Sequence, residues 1–210
     1  YEAYRGLLAL QHRGQDAAGI LTYETFTKMF AMEKDLGLVA QVFDQKKIEN
    51  LNGFMAIGHT RYATAGGDGK RDIQPMVEGI PFGLGMVHNG NALNYYQLKA
   101  ELSEKFRHQL LTGNDLEALI HYFGHFLMNG DALPTEKTFT FDNIKQAAGK
   151  MFETVNGGYA VLGLIAGQGM VGFRDPKGIR PMVLGLKEID GEKHWCVASE
   201  TVAMTYLGYN

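Results

Sequence analysis

One cysteine, Cys196, stands in 210 residues, which excludes an internal disulfide and a multi-cysteine metal site and points to a reducing compartment. The seven histidines show no His-Glu-x-x-His or comparable ligand spacing, so nothing in the sequence argues for a zinc centre. Basic runs are missing as well. The 20 Lys and Arg are interspersed with 23 Asp and Glu for a net charge of -3, without the stripe of cations that neutralises a phosphate backbone, and nucleic acid is not an expected partner. No apolar stretch is long enough to cross a bilayer and no charged n-region with an apolar h-region opens the chain, so no membrane partner is expected and a cytoplasmic location is. With only five prolines, no low-complexity linker and no internal repeat, the 45% hydrophobic content is that of one well-buried globular domain.

Hydrophobic spacing then gives the order of elements. Tyr4, Leu7, Leu8 and Leu10 recur near helical spacing, with Gly14 as the expected stop. Apolar runs at 18–23, 27–32, 53–62 and 82–88 predict strands, with helical turns over 36–51 and a glycine-rich loop over 65–70. Helices are predicted over 93–106, from Asn114 or Asp115 through Leu127, and around Ile144 to Val155. A block of strands follows at 159–165, 170–174, 182–186 and 195–198. The unbroken apolar run over 160–165 predicts burial on both faces, and Ser199 is the expected cap of a last short helix. Helices grouped mid-chain between blocks of strands imply two stacked sheets covered by helices. The chain opens at Tyr1 inside a helical pattern and ends just after another, so both ends read as cut.

The stretch Gly85-Met86-Val87-His88-Asn89-Gly90-Asn91 carries the most chemistry, because an apolar strand delivers a side-chain amide followed at once by an unhindered backbone N–H. Asn89 and Gly90 together can form an oxyanion hole for acyl transfer. Arg61, in Gly58-His59-Thr60-Arg61-Tyr62-Ala63-Thr64-Ala65-Gly66, is either a surface cation or a partner for a local Asp, or else a fork that grips a carboxylate, with Thr64 adding a hydroxyl. Asn114-Asp115-Leu116-Glu117 reads as a helix cap with Glu117 closing the box, or else Asp115 holds an ammonium group. A fixed cation and a fixed anion in one site would recognise an α-amino acid. His88 reads as a satisfied core histidine, Arg174 and Asp175 as mutual ion-pair partners in a tight turn, and Cys196 as a small hydrophobe in a strand rather than a nucleophile.

Gln11 to Gly19, Gly58 to Gly66, His88 to Asn91, Phe173 to Pro181 and Ala198 to Ala203 together resemble the glutaminase domain of the glutamine phosphoribosylpyrophosphate amidotransferases, a family of class II glutamine amidotransferases. The resemblance spans nearly the whole chain and is weakest from about Lys99 to Glu153. It implies an α+β fold, the four-layer αββα sandwich of the N-terminal-nucleophile hydrolases. It also implies attack by an N-terminal cysteine on the glutamine amide, with that residue's own α-amino group as base, to form a γ-glutamyl thioester whose hydrolysis follows release of ammonia. Carried over by position, Arg61 binds the α-carboxylate of glutamine, Asp115 its α-ammonium, Thr64 helps to orient it, and Asn89 and Gly90 hold the oxyanion.

The resembling family has its cysteine ahead of the opening helix, upstream of Tyr1. Residues 1–210 are then a glutaminase domain without its first strand and without the phosphoribosyltransferase domain that follows, and inactive as they stand. That missing domain takes phosphoribosyl pyrophosphate and Mg2+ and makes 5-phosphoribosylamine for purine synthesis. No cofactor is expected in this domain, an iron–sulfur cluster is left open, and a homo-oligomer is expected. Two other readings stay open at this point: a glutamine-binding or scaffold module without a nucleophile, and another class II amidotransferase that feeds ammonia to a sugar phosphate.

Overall fold

The computed structural model describes residues 1–62, 69–128 and 139–210. The first sheet has the order β2-β1-β3, built from β1 (Ala17–Glu24), β2 (Met29–Leu36) and β3 (Met55–Arg61), all antiparallel. The second has the order β4-β5-β6-β7, from β4 (Met76–Glu78), β5 (Leu84–Ala92), β6 (Gly157–Ile165) and β7 (Gly169–Arg174). Alternation in β1 and β3 sends Leu21, Tyr23 and Ile57 toward the second sheet, where they pack with Val87 and Leu164. A side chain at Gly85 would come within 2.0 Å of the Leu21 Cδ2 methyl, so the glycine makes room for Leu21 where the sheets press together.

Helices close both outer faces. Leu7 of α1 (Glu2–Ala9), with Val39 and Val42 of α2 (Val39–Val42), packs on Ala18 and Ile20, and α3 (Gln45–Asn50) follows with Ile48 at the edge of that cluster. Across the second sheet, α4 (Tyr95–Lys105), α5 (Asp115–Leu127) and α6 (Phe141–Thr154) bury Leu98, Leu119, Phe123, Ala147 and Met151 against Met86, Tyr159 and Val161. The result is the expected α+β sandwich of four layers: helices, sheet, sheet, helices. The apolar run of β6 is central and almost wholly buried, as its composition demands.

Beside this sandwich a hairpin of β8 (Val183–Ile189) and β9 (Glu192–Ala198) forms a separate two-stranded sheet, packed on α7 (Thr201–Leu207). Two sheets were expected, so this third one corrects the sheet count while the four layers stand, and β4 is an edge strand too short for periodicity to show. Several local expectations change too. α1 stops at Ala9 and gives way to a 3-10 turn over Gln11–Arg13. Gly14 is extended, and a Cβ there would meet the backbone of Arg61 at 2.5 Å, so its role is close approach rather than helix termination. Glu200, not Ser199, is the residue ahead of α7; its carboxylate turns away to His12 at 2.8 Å and to Arg13, tying the first turn of the chain to the last helix.

Candidate active site

β5 carries His88, Asn89 and Gly90 opposite Val161, Ala160 and Tyr159 of β6. The strand runs on to Ala92, so the amide and the glycine lie inside the ladder rather than at its end. Gly90 has φ +149°, and a Cβ there would stand 2.1 Å from the carbonyl oxygen of Gly158, so no other residue fits. Asn89 Nδ2 is buried and has no hydrogen-bond partner. An amide donor shut away from water with nothing to donate to costs about 1–3 kcal/mol, which an arriving acceptor oxygen would recover.

Asp115 opens α5 and stands against β5. Its Oδ2 accepts the Ala92 N–H at 2.7 Å, and its Oδ1 lies 3.1 Å from His88 Nε2, close enough to pair electrostatically but off the hydrogen-bond line. Burial raises the carboxyl of Asp115, yet the His88 ring and the Ala92 N–H more than offset that and hold it below the usual carboxylate range. The cap at this helix end is Asn114, whose side chain accepts from Leu116 N at 3.0 Å. Glu117 closes no capping box: it reaches back to the N–H groups of Leu111 and Thr112, each at 2.7 Å.

Arg61 ends β3 with its side chain largely buried, which removes the reading of a surface cation. Its Nη2 sits 4.0 Å from Asp72 Oδ2, a loose contact, and no tighter partner for its guanidinium lies among the described residues. Asp72 is anchored in turn: Oδ1 accepts Gly113 N at 3.0 Å, and Asn114 Nδ2 donates to its backbone carbonyl at 2.8 Å. A chain of contacts therefore runs from Arg61 through Asp72 and Asn114 to Asp115, His88 and Asn89. The structure brings four of the five expected site residues to one place; Thr64 lies outside the described residues. Asp72 and Gln74, both buried here, had no sequence signal beyond a charged and a polar residue near Pro75.

A cavity of about 690 Å3 opens beside Asn89 and His88. Its walls include consecutive residues 53–59 on and just before β3 and 193–199 on and just after β9, so strand edges rather than single faces look into it. β3 is terminal in its sheet, while β8 uses its far side to pair with Asn210 through both N–H and carbonyl of Leu186. The edges of β3 and β9 thus face each other with no strand between them among the described residues. His59 lines this space with Nδ1 buried and unpartnered; burial, followed by the nearby His88 ring, pushes it down to about 3, so it is uncharged at neutral pH. Cys196 also lines it, but burial and then Glu2 push its thiol up, which fits a packing role and not a nucleophile. Among the described residues no cluster of His, Cys, Asp and Glu could hold a metal ion, and no helix is long and apolar enough to cross a membrane.

Residues 59–206 match the family model described as a glutamine amidotransferase domain. The chain is 42% identical over 208 residues to the amidophosphoribosyltransferase of Escherichia coli K12, covering 99% of this chain and 40% of that protein. It is 40% identical to the enzyme of the same name from Schizosaccharomyces pombe, covering 99% and 38%. Among solved structures, a glutamine phosphoribosylpyrophosphate amidotransferase from B. subtilis, complexed with ADP and GMP, superposes with a TM-score of 0.78 at 33% identity, over 99% of this chain and 41% of that one. The chain therefore spans about two fifths of the length of these relatives. With Asn89, Arg61 and Asp115 linked by that chain of contacts and all inside the matched span, this chain belongs to the glutamine amidotransferase domain family.

Proposed function

We propose that residues 1–210 are the ammonia-generating domain of an amidophosphoribosyltransferase, which hydrolyses glutamine to glutamate and passes the ammonia to a transferase domain that uses phosphoribosyl pyrophosphate. The transferase half rests on the relatives' names and the share of their length that this chain matches. The glutaminase half rests chiefly on one observation, the buried and unpartnered Asn89 Nδ2 beside Gly90.

The geometry suits the chemistry in sequence. Arg61 grips the α-carboxylate of glutamine and Asp115 its α-ammonium, which fixes the side-chain amide over β5. A thiolate adds to the amide carbon, and the carbonyl oxygen becomes an oxyanion that takes hydrogen bonds from Asn89 Nδ2 and the Gly90 N–H. Collapse breaks the C–N bond, the nitrogen leaves as ammonia with a proton from the nucleophile's amine, and water hydrolyses the thioester to glutamate. Cys196 does not supply that thiolate. We assign it to a cysteine outside these 210 residues, on an extended segment that slots between the free edges of β3 and β9; without it the isolated chain is inactive. Hydrogen bonds to both edges would seat such a strand as β-augmentation, with its reacting end near Asn89.

Mapping the adduct of an electrophilic glutamine analogue on the complete protein by mass spectrometry tests this. Label on a cysteine ahead of Tyr1 supports it, and a native chain that takes no label leaves a glutamine-binding module. In the complete enzyme Asn89→Ala should lower kcat for glutamine hydrolysis by on the order of 3 kcal/mol, with KM little changed. An unaltered kcat removes the oxyanion assignment.

A further inference from the structure

Gln74 and His88 form a buried pair whose polarity can be read without ambiguity. Both side chains are almost wholly shielded from water. The His88 backbone N–H donates to one end of the Gln74 amide at 2.7 Å, so that end is the carbonyl oxygen Oε1. The other end is then the NH2 group, a donor only, and it lies 2.8 Å from His88 Nδ1. Nδ1 must be the acceptor, and the ring proton belongs on Nε2, the nitrogen that faces Asp115 Oδ1 at 3.1 Å. Gln74 is itself clamped: Lys34 Nζ donates to the carbonyls on either side of it, Ile73 at 2.7 Å and Pro75 at 2.8 Å. Behind it, Gly19 approaches so closely that a Cβ there would meet the Gln74 carbonyl oxygen at 2.1 Å.

We propose that Gln74 is a positioning residue for glutamine binding: it selects the Nε2–H tautomer of His88, which presents an N–H rather than a lone pair to Asp115 and so sets the carboxylate for the substrate's α-ammonium. This rests on the glutaminase reading above. Asp115 needs such support because its own backbone contact, from Ala92 N–H, engages only one of its two oxygens. The opposite tautomer would put two lone pairs face to face across 3.1 Å, and the carboxylate would swing away from the substrate. Neither Gln74 nor His88 transfers a proton in this scheme.

Gln74→Met is the discriminating variant, because it removes the NH2 group that faces Nδ1 without adding a charge beside the ring, whereas a carboxylate there would give His88 its second proton and leave Nε2–H in place. In the complete enzyme it should raise KM for glutamine about tenfold, with kcat within about threefold. In an Asp115→Asn background the same change should add almost nothing, since two residues acting through one contact are not additive. An unchanged KM, or full additivity with Asp115→Asn, overturns the proposal while the glutaminase reading stands. A parent enzyme that does not hydrolyse glutamine overturns that reading instead. Should Gln74→Met not fold, His88→Gln against His88→Leu decides: the amide can place an N–H where Nε2–H stood, so its KM should be the lower of the two, and equal values overturn the proposal.

Discussion

Two carboxylates, the half-buried Asp115 and the buried Asp175, look alike in sequence and do opposite things in the fold. Asp175 is saturated: it accepts from Lys177 N and Ile179 N at 3.0 Å, from Tyr159 N at 3.3 Å and from Arg180 N at 3.4 Å. Arg174, its expected ion-pair partner, forms no salt bridge with it among the described residues; the backbone donors of its own turn have taken its lone pairs. Asp115 accepts the Ala92 N–H, has its own N–H close by, and pairs off-line with an imidazole. A carboxylate offers about four acceptor sites, so the first is filled by the loop it organises and the second keeps capacity for a ligand. Charge and residue type do not separate a structural carboxylate from a binding one; unspent hydrogen-bonding capacity does.

The comparison is tested hardest by removing one charge from each. Asp115→Asn in the complete enzyme should raise KM for glutamine on the order of a hundredfold, since it deletes the anion that meets the α-ammonium, while lowering the melting temperature less than Asp175→Asn does. A large loss of stability with little change in KM would make Asp115 a second Asp175.

The fold was legible in the sequence wherever burial imposes a period. α5 shows its apolar stripe and β6 its unbroken apolar run, and both lie where expected. The hairpin of β8 and β9 as a separate sheet was not, because strand pairing is settled between distant segments and leaves no mark on either one alone. The site was half legible. Asn89-Gly90 announces itself by adjacency, and Arg61 and Asp115 by residue type next to element ends. Asp72 and Gln74 do not, because each acts on groups far along the chain: Gly113 and Asn114 for one, His88 for the other. Glu117 misled, since a residue three positions after Asn114 fits a capping box by spacing, while its carboxylate turned back to Leu111 and Thr112.

Asp175→Asn should leave KM unchanged and destabilise the domain by about 2–3 kcal/mol, because an NH2 group then faces backbone N–H groups that have no other acceptor. The pH dependence gives the same test in the parent protein. Burial raises the carboxyl, but the N–H groups of Ile179, Arg180, Tyr159 and Lys177 outweigh it and hold Asp175 below the ordinary 3.8. A carboxylate whose folded value is depressed contributes stability that is complete above the unfolded value and is lost as pH falls through the folded one. The gap in stability between parent and variant should therefore be widest near neutrality and narrow only below about pH 4. A gap that stays constant into that range would mean the side chain acts by packing and not by its charge.

Glu117→Gln probes the same principle at the smallest amplitude. Like Asp175, Glu117 is buried and spends its oxygens on a loop: Oε1 on Leu111 N, Oε2 on Thr112 N and on the Thr112 hydroxyl at 2.6 Å. Unlike Asp175, one of its donors is a hydroxyl that can rotate. In the glutamine variant the remaining oxygen keeps one backbone N–H, and the Thr112 hydroxyl can turn to accept from the new NH2 group, so only one backbone donor is left unpaired. The expected cost is about 1 kcal/mol of stability, read as a shift in the denaturant midpoint with an unchanged slope. Because the loop over 111–113 leads into Asn114 and Asp115, and Gly113 N is held by Asp72, KM for glutamine should rise at most about twofold. A KM effect as large as that of Asp115→Asn would show that the loop and the binding carboxylate form one unit, and the division between saturated and unsaturated carboxylates would then fail at the point where the two kinds stand two residues apart on the same helix.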